Sequence, residues 1–302
     1  MVKLVYDIET LPPAFVESSR KLTPSKFRKL LFVALFFCVG YYLIFTNNRL
    51  SGYAPCMAVK EMAVDSEMDT LIIVPGHAVF IGNDYSDSSL SSDVCWILES
   101  FQIGQTKLFV EHIRKGIEKA ASNSKALLVF SGGQTRMRAG PLSEAQSYYQ
   151  IAQNHNWFGI ENVQARSTTE EFARDSYENL LFSICRFKEV VGSYPKFISV
   201  VGFKFKANRF IDLHRFAIKF PTQYFSYIEV HDGVTDDLRD SASADFSKDL
   251  YGCSEKLREK KKSRNPYKRN HSYADSCPDL KGLLEYCGET VFADSLPWKL
   301  IE

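Results

Sequence analysis

Three kinds of hydrophobic pattern follow one another along the chain. The first is a single uncharged run of 17 residues, 30–46 (LLFVALFFCVGYYLIFT), which as a helix approaches the roughly 30 Å of a bilayer's hydrocarbon core. The second is a set of short apolar runs that stop at a Pro-Gly, Ser-Gly or Gly: 71–74 (LIIV), 126–130 (ALLVF) and 197–201 (FISVV). Apolar runs of this length, the last with only Ser199 in it, read as strands buried on both faces of a parallel sheet, and 224–230 predicts one more. The third kind is amphipathic and predicts helices at 106–121, 143–154, 168–187 and 207–220. Two of these helices open on a capping box, Ser143-x-x-Gln146 and Thr168-x-x-Glu171, where side chain and backbone satisfy each other's open donors. Strands separated by such helices return as right-handed crossovers. The expectation is an α/β fold, a Rossmann-like three-layer sandwich with a mostly parallel sheet over 66–230, plus one N-terminal transmembrane helix.

The flanks of the 30–46 run set a topology. Six basic residues precede it (Lys3, Arg20, Lys21, Lys26, Arg28, Lys29), against Arg49 and Lys60 in the twenty residues after it. The positive-inside rule then places 1–29 in the cytoplasm as a short tail, makes 30–46 an uncleaved signal anchor in the lipid bilayer, and puts everything beyond the 47–65 connector in the lumen. A span this short suits the endoplasmic reticulum or Golgi better than the plasma membrane. Six cysteines lie beyond the span, an even number that an oxidising lumen can pair, with Cys253, Cys277 and Cys287 close together near the C-terminus. Asn270-His271-Ser272 is a glycosylation sequon.

Composition adds exclusions. Charged residues are 24% and the net charge is +1, so no global field draws the protein to nucleic acid, and no nucleic-acid partner is expected. The C-terminal extension, 231–302, carries a basic run from Lys256 to Arg269 that reads as a solvated surface segment. Its last part returns to pack on the domain, with Trp298 as the anchor. No CxxC or Cys/His cluster is present, and no metal is expected.

The candidate chemistry collects where the strands end, which is where open parallel sheets bind ligands. The first strand leads to Pro75-Gly76-His77, the second to Ser131-Gly132-Gly133 with Arg136 close by, and the third to Lys206 and Arg209. Glycines let backbone N–H groups approach an anion, and the helix opening near Ser143 adds its positive end. On this reading Gly76, Ser131, Gly132 and Gly133 cradle a small anionic ligand. Arg136, Asn179, Lys206 and Arg209 bind it, and His77, Glu144 and Glu178 are acid/base candidates.

In order along the chain, LIIVPGH, ALLVFSGGQTR, GPLSEA, EEFARDSYENLLFSICRF and VVGFKFKANRF resemble the eukaryotic branch of the domain-of-unknown-function 218 family (SanA/YdcF-like), over roughly 66–300. The resemblance implies the Rossmann-like fold and a site at Ser131, Gly132, Gly133, Glu144, Ala145, Glu178, Asn179 and Arg209. Ser176 stands here where the family has Thr, and Lys206 where bacterial members often have His. It also implies envelope biogenesis as the family's setting, and one branch has been proposed to bind S-adenosylmethionine. The expected function is binding of a phosphorylated or nucleotide-like small molecule, as a hydrolase or transferase of glycan or lipid-carrier metabolism. The alternatives are an S-adenosylmethionine binder or methyltransferase, and a non-catalytic membrane scaffold. The sequence names no cofactor.

Overall fold

The computed structural model describes residues 67–230 and 243–298. The expected tail, anchor and connector at 1–65 therefore lie outside the described residues. No helix among the described residues is long and apolar enough to cross a membrane.

The fold is α/β, built on a five-stranded sheet: β1 (Thr70–Pro75), β4 (Ala126–Ser131), β5 (Ser167–Glu170), β6 (Phe197–Phe203) and β7 (Phe225–Val230). Every pairing is parallel, and the order is β5-β4-β1-β6-β7. A small antiparallel ribbon, β2 (Val79–Phe80) with β3 (Trp96–Ile97), follows β1. The main helices are α1 (Thr106–Ala121), α2 (Glu144–Asn154), α3 (Ser176–Val191) and, in the C-terminal extension, α4 (Glu255–Ser263).

Alternation along the strands separates two cores. Ile72, Val74, Leu128 and Phe130 point to one face, where Phe109, Ile113 and Ile117 of α1 and Tyr148 and Ile151 of α2 cover them. Leu71, Ile73, Leu127 and Val129 point to the other, against Leu180, Leu181, Ile184 and Phe187 of α3. Each fully buried side chain of this size contributes roughly 1.5–3 kcal/mol, so both faces must be covered for the sheet to persist.

Three expectations change. The Thr168 capping box is absent, because Thr168 and Thr169 lie in β5, the edge strand beside β4. The sequence STTE has no apolar run to announce a strand. Helix α3 begins eight residues later than expected, where the Asp175 carboxylate accepts the Glu178 N–H at 2.9 Å. The helix expected at 207–220 is instead broken into a 3-10 turn at Lys204–Lys206, a π-helical stretch at Arg209–His214 and one α-turn at Arg215–Ala217. Ser143 does cap α2, accepting the Gln146 N–H at 2.9 Å.

The C-terminal extension joins the α3 side of the sheet. Leu280, Leu283, Leu296 and Trp298 belong to that core, and Trp298 Nε1 donates to the Ile218 carbonyl at 3.0 Å. Cys253 and Cys287 form a disulfide, while Cys95, Cys185 and Cys277 are free thiols. Asn270 is exposed on the loop after α4.

Candidate functional site

A cavity of about 350 Å³ opens at the carboxyl ends of β1 and β6. The strand order reverses between these two, since the chain proceeds from β1 outward to β4 and β5 and then crosses to β6 and β7. Parting loops at such a point leave a crevice for a ligand. Gly76, His77 and Glu144 line it, together with Lys206 and Arg209. The start of α3 supplies Asp175, Ser176 and Asn179, and α4 with the turn after it supplies Lys260 and Arg264.

His77 is fixed on all sides. Its N–H donates to Tyr148 Oη at 3.2 Å, and its carbonyl accepts from Gln102 Nε2 at 2.6 Å. Its ring packs against Phe203 and meets His112 edge-on, with centroids 4.7 and 4.9 Å away. Nδ1 lies 3.1 Å from Lys206 Nζ, and Nε2 is buried with no hydrogen-bond partner. Burial, and then the charge on Lys206, hold the imidazole well below its ordinary range, so it is neutral at pH 7. His112, behind it, is pushed down to about 3 by burial.

Lys206 is the least conventional group in the cavity. Its ammonium position lies 5.5 and 5.6 Å from the ring centroids of Phe203 and Phe205. Among the described residues no carboxylate pairs with it, and His77 is its hydrogen-bond partner. Burial, then the charges of Arg209 and Arg264, lower its pKa well below that of an ordinary lysine. Arg209 is brought down to about 10 by burial, with Asp175 opposing, and its Nη1 lies 3.4 Å from Ser176 Oγ. Lys260 is lowered by burial and by Arg264 and Arg209. Cations from separate elements thus crowd one space.

The acidic groups nearby are already engaged. The Glu144 carboxylate accepts from Thr135 Oγ1. Asp175 caps α3 and lies 3.5 Å from Lys261 Nζ. Arg264 Nη1 donates to the Arg174 carbonyl at 3.0 Å, which ties the end of α4 to the start of α3.

Of the residues expected at the site, Gly76, His77, Glu144, Asn179, Lys206 and Arg209 line the cavity. The others do not. The N–H groups of Gly132 and Gly133 donate to the carbonyls of Glu170 (2.9 Å) and Ala173 (2.7 Å). Their own carbonyls accept the Ala145 and Glu144 N–H groups that open α2. Both the glycine donors and these helix donors are consumed, so the Ser-Gly-Gly turn is no anion cradle. Its glycines answer to close packing: a Cβ on Gly132 would stand 2.8 Å from Glu144 Oε2, and one on Gly133 2.9 Å from the Ala173 carbonyl. Ser131 Oγ donates to Glu170 at 2.7 Å and accepts from Asn179 Nδ2 at 2.9 Å. Arg136 pairs with Glu99, away from the cavity walls. Glu178 is held by Arg174 Nε at 2.9 Å and Nη2 at 2.6 Å. Burial alone would raise its pKa, but Arg174 and Lys261 outweigh that and keep it low, and Glu178 does not line the cavity.

Sequence reasoning missed Ser176, Lys260 and Arg264. The signal for the last two was present as an i, i+4 pair within the basic run, but only the packing of α4 turns that pair toward the sheet. The run is therefore not all solvated surface. Lys261, beside the pair, lies 3.5 Å from both Asp175 and Glu178.

No protein-family model and no solved structure matches the chain. It is 31% identical, over 262 aligned residues, to the uncharacterized protein YOR238W of Saccharomyces cerevisiae, in a match covering 68% of this chain and 86% of the yeast protein. The chain belongs to the family of that yeast protein.

Proposed function

We propose that the protein binds a phosphorylated small molecule of nucleotide or sugar-phosphate size. In this reading a Rossmann-like domain of the domain-of-unknown-function 218 type, on the lumenal side of a single-pass anchor at 30–46, holds that ligand. One observation carries it: Arg209, Lys260 and Arg264 open onto one cavity beside Lys206, and the crowding of these basic groups is what an anion relieves. Guanidinium forks and ammonium groups suit phosphate oxygens. A neutral His77 with a buried Nε2 supplies the proton-transfer group of a hydrolase or transferase. The same charges argue against S-adenosylmethionine, whose sulfonium would add another cation. Gly76 also packs on Glu144, where a Cβ would stand 2.5 Å from Glu144 Cβ, rather than opening a glycine-rich loop. The Cys253–Cys287 disulfide and the exposed Asn270 support a lumenal domain.

Calorimetry on the full-length protein in detergent tests the reading. Pyrophosphate or a nucleoside diphosphate is expected to bind saturably, with affinity reduced about tenfold or more in Arg209→Gln, since a charge-assisted hydrogen bond contributes roughly 1.5–3 kcal/mol. Saturable S-adenosylmethionine binding with none for the phosphates overturns it. For topology, an endoglycosidase mobility shift that disappears in Asn270→Gln is expected, and a chain that reaches the membrane unglycosylated contradicts the lumenal placement.

A further inference from the structure

The cavity lining holds two chemically different sets of side chains. One suits a phosphate: Arg209 beside Ser176, with Lys260 and Arg264 from the C-terminal extension. The other is Lys206 in contact with His77 and beside Phe203 and Phe205. With an imidazole nitrogen 3.1 Å away and no carboxylate paired with it among the described residues, the Lys206 amine has a proton acceptor in contact and no counter-ion fixing it as ammonium. An amine that must act as a nucleophile gains from both.

We propose that Lys206 attacks the carbonyl carbon of a phosphorylated aldehyde or ketone and forms an imine, while Arg209, Lys260 and Arg264 hold the phosphate. The inference rests on the cavity being a phosphate site and adds the second functional group of the ligand. The Nζ lone pair forms the C–N bond as the carbonyl π pair moves onto oxygen. His77 takes a proton from nitrogen and returns it to that oxygen, giving a carbinolamine. The hydroxyl then leaves with a second proton from nitrogen as water, and the C=N bond closes. Nothing is oxidised or reduced, and no co-reactant is needed. The step needs Lys206 unprotonated. Burial and the charges of Arg209, Arg264 and Lys260 favour that form, Glu144 opposes it, and His77 in contact with it is itself neutral.

The test uses the full-length protein in detergent at neutral pH, with pyridoxal 5′-phosphate and its dephosphorylated form, pyridoxal, as probes. Borohydride reduction followed by peptide mass mapping reads the site of attachment, and calorimetry with inorganic phosphate is run on the same preparation. The expected result is one dominant adduct on Lys206, formed about tenfold or more faster with the phosphorylated probe, slowed by inorganic phosphate and slowed in Arg264→Gln. The rate should reach its plateau at a lower pH than that of a surface lysine. In Lys206→Met the adduct should vanish, and the wild-type map decides the matter alone if that variant does not fold. Adducts scattered over surface lysines with Lys206 unmodified overturn the inference, and if inorganic phosphate still binds, the phosphate reading stands without it. Equal labelling by both probes, with no phosphate binding, overturns the phosphate reading instead.

Discussion

Replacing Cys253 and Cys287 together by serine is a perturbation whose size follows from the chain itself. The bond closes a loop with a sequence separation of 34, and that loop carries α4 with Lys260, Lys261 and Arg264. The chain-entropy relation for a loop of this length gives about 13 cal/mol/K, or roughly 4 kcal/mol at 25 °C. For a domain of this size that corresponds to a drop in Tm of about 10 °C. Thermal and urea unfolding of the oxidised protein and the double variant, with and without reductant, measures it. Reductant should lower the wild-type Tm toward that of the variant and leave the variant unchanged. Because α4 and the turn after it supply Lys260 and Arg264 to the cavity, phosphate affinity should fall with the same treatment. If the two proteins unfold within about 1 kcal/mol of each other, the 253–287 loop holds its shape by packing alone, and the disulfide has no part in framing the cavity.

Three further outcomes follow from single groups. Trp298→Ala removes a side chain 1% exposed and orphans the Ile218 carbonyl, so a loss of about 3–5 kcal/mol is expected in urea unfolding. Gly76→Ala places a Cβ 2.5 Å from Glu144 Cβ, an atom fixed to its backbone; the expected cost is about 1–3 kcal/mol by the same assay, with His77 displaced and phosphate affinity reduced. Glu170 is pushed up to about 7 by burial, against hydrogen bonds from Ser131, Phe172, Tyr273 and Ala173. Its folded pKa lies above its unfolded one, so the folded state binds the extra proton between about pH 4.5 and 7, and stability from this group falls as pH rises through that window and levels off above it. Unfolding free energies measured across pH 4.5–8 should show Glu170→Gln losing a downward slope worth roughly 3 kcal/mol relative to wild type.

The parallel sheet was legible because its central strands announce themselves. LIIV and ALLVF are apolar at every position and FISVV at all but Ser199, as befits strands covered on both faces. β5 was not, because an edge strand of Ser, Thr, Thr and Glu has neither alternation nor an apolar run. The site divides in the same way. Gly76, His77, Glu144, Lys206 and Arg209 could be placed from their positions at strand and helix ends. Ser131, Gly132 and Gly133 misled because a glycine turn looks the same whether its N–H groups face a ligand or a carbonyl; the Glu170 and Ala173 carbonyls take both. Lys260 and Arg264 sit more than fifty residues beyond Arg209 in a charge run, and only tertiary packing gives such a run a direction.

That division explains why the cavity is cationic at all. The strand-end loops contribute Lys206 and Arg209 together with Glu144, a set of two basic groups against one acid. The extension tips it by adding Lys260 and Arg264, while Lys261 neutralises Asp175 and Glu178, the acids that would otherwise offset them. One helix and the turn after it thus supply positive charge to the cavity and pair with the acids at the start of α3. Trp298, the disulfide and the bond from Arg264 to the Arg174 carbonyl all secure the segment that does so. On the proposed phosphate reading, anchoring the extension to the α3 face is therefore a condition of ligand binding as well as of stability.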